Sequence, residues 1–241
     1  MKNFLITGLA ITLLISCGQA EQSSKGVAEE KSFSWSLVTT WPKNFPGMGM
    51  APEKIAERVR VMSNGRLDIT VYGAGEVVPA LETFEAVSQG TVQMGHGASY
   101  YWRGSVPAAQ FFTAVPFGLS AQEMNGWLLH GGGMALWEEL YARFNLVPIS
   151  GGNTGTQMAG WFNREINSMA DIKGLKMRIP GLGGDVIGKL GGSPVTVPGG
   201  QIYENLVSGA IDATEWVGAW NDEIMKFYEA AKYYYTSGMH E

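Results

Sequence analysis

Four residues in the second half of the chain are of the types that hold a small organic anion: Gln157, Arg178 in the run Leu-Lys-Met-Arg-Ile-Pro-Gly, and the pair Glu215-Trp216. Each falls at the end of a segment that reads as a β-strand, and ligands of α/β sheets bind at strand ends. An arginine there offers a planar fork of donors that matches a carboxylate through two parallel bonds. The oxygens of Gln157 and Glu215 are those a hard cation prefers. Together these types point to capture of an anion, not to chemistry upon it.

Other candidate motifs lead less far. His130-Gly131-Gly132-Gly133 has the composition of an esterase oxyanion loop, but the chain holds no Gly-x-Ser-x-Gly nucleophile elbow, and glycines at a helix start account for the run better. Gly181 to Gly188 lacks the third glycine of a dinucleotide fingerprint, and no phosphate loop is present. His96, His130 and His240 are too scattered to suggest a histidine metal cluster. Tyr100-Tyr101-Trp102 follows a predicted strand in the first half. Its rings and hydroxyls could meet a small anion from the opposite side, and core packing fits any one of the three equally well.

The elements that must position these residues alternate in type. Phe33 to Thr39 reads as a strand; Met48 to Met62 reads as a helix with Ala51, Ile55, Val59 and Met62 on its apolar face; Asn64-Gly65 stops it, and Leu67 to Tyr72 returns as a strand. A β-α-β unit of this kind makes its strands parallel. A weak internal echo suggests two related lobes: residues 84–93 align with residues 203–212, each a helix ending at a glycine, Gly90 or Gly209, with a strand expected at once afterwards. Duplication explains the echo, and so does the frequency of helix-glycine-strand in α/β proteins.

Composition is that of a globular protein: 22 acidic residues against 17 basic give a formal net charge of -5, which makes nucleic acid an unfavourable partner. The N-terminus carries Lys2, an apolar run from Phe4 to Ile15, and small Ser16 before the single cysteine. That is the layout of a secretory signal, too short to span a bilayer comfortably. Leu14-Ile15-Ser16-Cys17 also resembles the lipobox of bacterial lipoproteins, which would make Cys17 the site of lipidation; a cleaved soluble protein is the alternative. With one cysteine no intramolecular disulfide can form, so the core must hold the fold in an oxidising compartment. Residues 1–17 are thus assigned to a signal peptide with lipobox and 18–32, polar and aperiodic, to a flexible tether. Residues 33–151 are assigned to lobe I, incomplete as it stands, and 152–241 to lobe II with the start of a return crossover.

Several stretches carry a resemblance over nearly the whole chain after the tether: Asn64-Gly65-Arg66-Leu67, Val115-Pro116-Phe117-Gly118, Asp171 to Arg178, and Ser208 to Ala213. The sequence resembles the extracytoplasmic solute-binding proteins of tripartite ATP-independent periplasmic (TRAP) transporters. Gly152 to Gln157, Val217 to Asp222 and Lys232 to Tyr235 are similar to the branch that binds 2-oxo acids such as pyruvate together with a metal cation. The resemblance implies an α/β fold of two lobes around a ligand cleft, of the type II periplasmic binding kind, joined by crossing strands and a long helix. It implies that Arg178 clamps the ligand carboxylate and that Gln157, Glu215, the Trp216 main chain and Glu241 approach a bridging sodium or calcium ion. It further implies membrane subunits of a TRAP transporter as partners, and helices beyond residue 241 that complete the first lobe and make homodimer contacts; the chain reads as C-terminally truncated.

The expectation is a periplasmic receptor that captures a small monocarboxylate or 2-oxo acid and is not an enzyme, anchored through Cys17 if the lipobox is used. The alternative from another class is a secreted carboxylate-dependent hydrolase using Glu85 or Glu215 as acid/base groups. It is disfavoured because glycosidase-type chemistry needs two carboxylates at a set separation, whereas here an arginine and an amide accompany the acid. A sensor input built from the same lobes is a third reading.

Overall fold

The structure is a computed structural model that describes residues 31–240, the side chain of His240 excepted. The signal segment with Cys17, all but the end of the tether, and Glu241 lie outside the described residues.

The first half is built on three parallel strands. β1 (Phe33–Thr39), α1 (Met50–Met62) and β2 (Leu67–Tyr72) form the expected β-α-β unit, with both strands at their predicted bounds. α2 (Thr83–Ser88) leads to β3 (Met94–His96) on the other edge of β1, giving the order β2-β1-β3. Consecutive side chains of β1 serve opposite faces: Leu37 packs with Ala56, Ile69 and Val71, and Val38 with Ala86 and Val92. A parallel sheet covered on both faces needs such a continuous apolar run.

α1 buries a different face from the predicted one. Pro52 and Ala56 are buried, whereas Ile55 is half-exposed and Met62 is 87% exposed. Small residues bring the helix close to the sheet, and the larger apolar side chains flank that contact. α3 (Ala121–His130) starts on a capping box in which Ser120 and Glu123 satisfy each other's main-chain N–H, and α4 (Gly133–Ala142) follows. The glycine run at His130 does more than start a helix: Gly131 ends α3, and Gly132, at φ +88°, turns the chain before α4 begins.

The second half comprises β4 (Gln157–Phe162), β5 (Lys176–Arg178), α5 (Gly181–Lys189), β6 (Ser193–Val195), α6 (Ile202–Ser208), β7 (Ala213–Thr214), α7 (Ala219–Ile224), α8 (Phe227–Ala230) and β8 (Tyr233–His240). Its sheet has the order β6-β5-β7-β4-β8, with β5 parallel to both neighbours and β4 antiparallel to β7 and β8. The run β5-α5-β6-α6-β7 repeats the connectivity and strand order of β1-α1-β2-α2-β3. Gly90 and Gly209 both stand at positive φ, +74° and +71°, after their helices. Three residues then intervene before Met94 and Ala213, so the strands do not follow at once, but the delay is the same in both halves. Counted from these glycines, Glu215 holds the position of His96.

Among the described residues no helix exceeds the 13 residues of α1, so the long connecting helix implied by the resemblance is not among them. None is long and apolar enough to cross a membrane. An apolar cluster joins the halves: Trp41 and Phe45 from the first pack with Ile202, Leu206, Trp216, Val217 and Phe227 from the second.

Register in the second sheet depends on Gly160. It sits at φ +110° beside a bulge in the β4–β8 pairing, and a Cβ there would run into the carbonyl of Thr214. Gly160→Ala should therefore lower stability by about 2–3 kcal/mol, a fall in Tm of roughly 5–10 °C. Gly126→Ala, inside α3 with open space around it, should instead raise stability by about 0.5–1 kcal/mol. Thermal unfolding of the two variants checks both signs.

Candidate functional site

Arg178 is the last residue of β5, and Glu215 follows β7 directly. Since these strands run parallel with Arg178 opposite Thr214, the Glu215 N–H donates to the Arg178 carbonyl at 3.0 Å and the two side chains emerge from one sheet edge. Arg178 Nη1 donates to Glu215 Oε2 at 3.1 Å and to the Glu215 carbonyl at 3.0 Å, with both residues only 1% exposed. The guanidinium carbon lies 5.2 Å from the Trp216 ring centre, a cation–π contact. Burial alone would lower the pKa of Arg178, but nearby Tyr101, Glu215 and Tyr100 outweigh it and hold the group charged.

Gln157 reaches the same edge from the opposite direction. It opens β4, which is antiparallel to β7, and the Met158 N–H donates to the Val217 carbonyl at 2.9 Å. Gln157 is 4% exposed, and its Nε2 donates to Thr154 Oγ1 at 2.8 Å. No cluster of three or more His, Cys, Asp or Glu exists among the described residues. A cation here would therefore draw on amide, carboxylate and main-chain oxygens, a donor set that fits sodium or calcium and not zinc.

From the first half, the 3-10 turn Ser99–Trp102 after β3 brings Tyr101 to the pair: Arg178 Nη2 donates to its hydroxyl at 3.3 Å. Tyr100 is buried edge-on to Tyr101, with ring centres 4.8 Å apart, and a Cβ on Gly181 would lie 3.0 Å from its own. Burial first, then Tyr101 and Glu215, push the Tyr100 hydroxyl well above its ordinary pKa of 10. Trp102 does not share this surface. A turn with three residues per revolution sends consecutive side chains in three directions. The Trp102 ring stacks on Phe84 at 5.5 Å and donates to the Tyr141 hydroxyl at 2.6 Å, in the core.

Glu85, the hydrolase candidate, is not in this constellation; it lies on α2 and accepts from Ser105 Oγ at 3.1 Å. Two residues gained no role from the sequence. His96 stands edge-on to Trp41 at 5.0 Å, and burial pushes its imidazole down to about 4, so it is neutral. Asp222 is buried in α7 and fixes the turn that follows Trp216: Oδ1 accepts from the N–H groups of Val217 and Gly218 at 3.2 and 3.1 Å, and Oδ2 from Trp161 Nε1 at 2.9 Å. An acidic residue four positions after Gly218, in the first turn of a helix, is the signal that could have found it.

With this geometry in place, comparison with known proteins is decisive. The model of DctP, bacterial extracellular solute-binding protein family 7, matches residues 37–241. The chain belongs to this family. Among curated relatives of this DctP chain, the monocarboxylate 2-oxoacid-binding periplasmic protein of Nostoc sp. is 49% identical over 96% of the chain and 63% of its own length. Among solved structures, a TRAP periplasmic solute binding protein from Pseudoalteromonas atlantica, with bound sodium and pyruvate, superposes with a TM-score of 0.84 at 46% identity. The match covers 87% of this chain and 66% of that one. A Colwellia psychrerythraea counterpart with bound calcium and pyruvate gives 0.83 at 46% identity with the same coverage. The chain thus spans a little under two thirds of the length of these relatives, and its fold is the mixed α/β, two-lobed TRAP solute-binding fold.

Asp222 gives this DctP chain a measurable pH signature. Burial raises its pKa from 3.8 to about 6, against the pull of its three donors. The folded state then keeps a proton that the unfolded state releases, so this stabilising contribution is full below about 3.8 and is lost as pH rises through about 6. The stability gap between wild type and Asp222→Asn should shift against the wild type by about 2.4 kcal/mol from pH 4 to pH 7. Denaturant unfolding at the two pH values measures it; a gap that does not move would place the titration elsewhere.

Proposed function

We propose that this chain is the receptor part of a TRAP transporter that captures a small 2-oxo monocarboxylate, with pyruvate as the type ligand, outside the cytoplasm and delivers it to membrane subunits. The observation that carries the reading is the buried Arg178–Glu215 pair at the sheet edge, with Tyr101 reaching it from the other half and buried Gln157 opening the antiparallel strand at the same edge. The names of the Nostoc, Pseudoalteromonas and Colwellia relatives support the ligand class. In this reading Arg178 clamps the carboxylate. Gln157, Glu215, the Trp216 carbonyl and Glu241 hold a sodium or calcium ion that bridges to the ligand, and Tyr100 and Tyr101 close over it. Lobe I is 33–151 and lobe II 152–241, and Cys17 anchors the protein to a membrane. A relative from Bordetella bronchiseptica, 38% identical, was solved as a mixed-occupancy dimer with calcium and picolinate. It supports the cation and a planar carboxylate ligand.

The cation follows from charge. Arg178 and Glu215 together are neutral, so a bound carboxylate adds a net negative charge to a buried site where a lone charge is costly. A cation between carboxylate, keto oxygen and Glu215 restores neutrality. The role is binding, since no nucleophile with an adjacent base lies among these groups.

Two measurements test the reading. Arg178→Lys keeps the charge but loses the fork, and should weaken pyruvate binding by about 1.5–3 kcal/mol, roughly ten- to a hundred-fold in Kd by titration calorimetry. Wild-type affinity in this variant would remove the clamp. Exhaustive chelation and desalting should weaken pyruvate binding, and pyruvate should tighten the cation by the same factor. Affinity indifferent to sodium and calcium would take Gln157 and Glu215 out of the site.

A further inference from the structure

The segment that carries Tyr100 and Tyr101 ends in Arg103, whose side chain crosses to the other half. Nη1 donates to the Gly181 carbonyl in the first turn of α5, and Nη2 meets Asp185 Oδ1 at 2.7 Å, one turn further along. Residues 100–103 therefore grip residues 178–185 at three places: Tyr101 on Arg178, Tyr100 over Gly181, and Arg103 on Gly181 and Asp185. The first two touch the candidate site, and the third lies outside it.

An exposed ion pair is worth little by itself, and Arg103 and Asp185 are 36% and 45% exposed. This one differs in that a single guanidinium serves a carboxylate and a main-chain carbonyl with separate nitrogens, which fixes its orientation. Every acceptor belongs to the second half and the donor to the first, so the bonds exist only while the halves are together. Contacts present in one conformation and absent in the other bias the equilibrium between them.

We propose that Arg103 is a positioning residue: a clasp on α5 that holds the halves closed and keeps Tyr100 and Tyr101 against Arg178. The proposal rests on the receptor reading for its ligand. Its signature is kinetic, because losing a contact made only while the halves are together lets them part sooner and speeds escape of the ligand held between them. Arg103→Ala should raise the pyruvate off-rate about five- to thirty-fold, and Asp185→Ala should do part of this. The double variant should be no worse than Arg103→Ala, since both remove one interaction. A residue that only stabilised the fold would lower Tm and leave the off-rate unchanged, and that result, or strict additivity, overturns the clasp.

A ligand-free measurement separates this from failure of the receptor reading. Spin labels on cysteines placed at exposed Glu57 and Glu204, one in each half, in a Cys17→Ser background, report the distance between the halves. Arg103→Ala should broaden that distribution. If wild type binds no 2-oxo acid but the broadening occurs, the receptor reading falls and the clasp stands. If wild type binds pyruvate and neither distance nor off-rate responds to Arg103→Ala, the clasp falls alone.

Discussion

An arginine and a glutamate buried together at one sheet edge set the terms for the rest of the molecule. At 1% exposure each, neither Arg178 nor Glu215 can rely on water, and removing either leaves an uncompensated charge at a cost of about 3–5 kcal/mol. The surroundings read as responses to that constraint. The parallel register of β5 and β7 places the two residues side by side; Gly160 lets β4 approach β7 where any side chain would strike the Thr214 carbonyl; Asp222 pins the turn after Trp216. Trp216 covers one face of the guanidinium, Nη2 donates to the Tyr101 hydroxyl, and Nε donates to the Val197 carbonyl at 3.5 Å.

Much of this was legible in sequence, for a physical reason. Strands bounded by turn residues are local features, and β1 and β2 were found at their true limits because Asn64-Gly65 and the apolar runs speak for themselves. Arg178 and Glu215 were singled out because their residue types end segments that read as strands, and the structure brings the two together, buried, at one sheet edge. Facing was misread for α1 and left open for Trp102. Which side of α1 is buried depends on how closely Ala56 lets it approach the sheet, and the direction taken by Trp102 depends on a 3-10 turn that no period announces. Arg103 acts through a partner 82 residues away, a pairing that leaves no trace in spacing, whereas Asp222 accepts from main-chain N–H groups only four and five residues before it, a local signal that the reading passed over.

The matching connectivity of the two halves makes their differences informative. At the position where the second half has Glu215, the first has His96, which burial holds neutral with its pKa near 4. Trp41 stands against it and leads through Tyr101 to Tyr100, so the first half presents aromatic rings and hydroxyls while the second holds the buried ion pair.

In the receptor reading proposed above, that division of labour would suit reversible capture. A site with formal charges on both walls would pull itself shut without a ligand, or hold itself apart, according to their signs. Here the charged wall is satisfied internally by its own ion pair. The neutral wall contributes area, exclusion of water and one hydroxyl to Arg178. Removing water strengthens every electrostatic contact made within the site, so an anion that arrives with a compensating cation meets a charge arrangement already assembled, and closure adds grip without adding charge. Under that reading, release would require only that the aromatic wall withdraw, which would readmit water and weaken those contacts together.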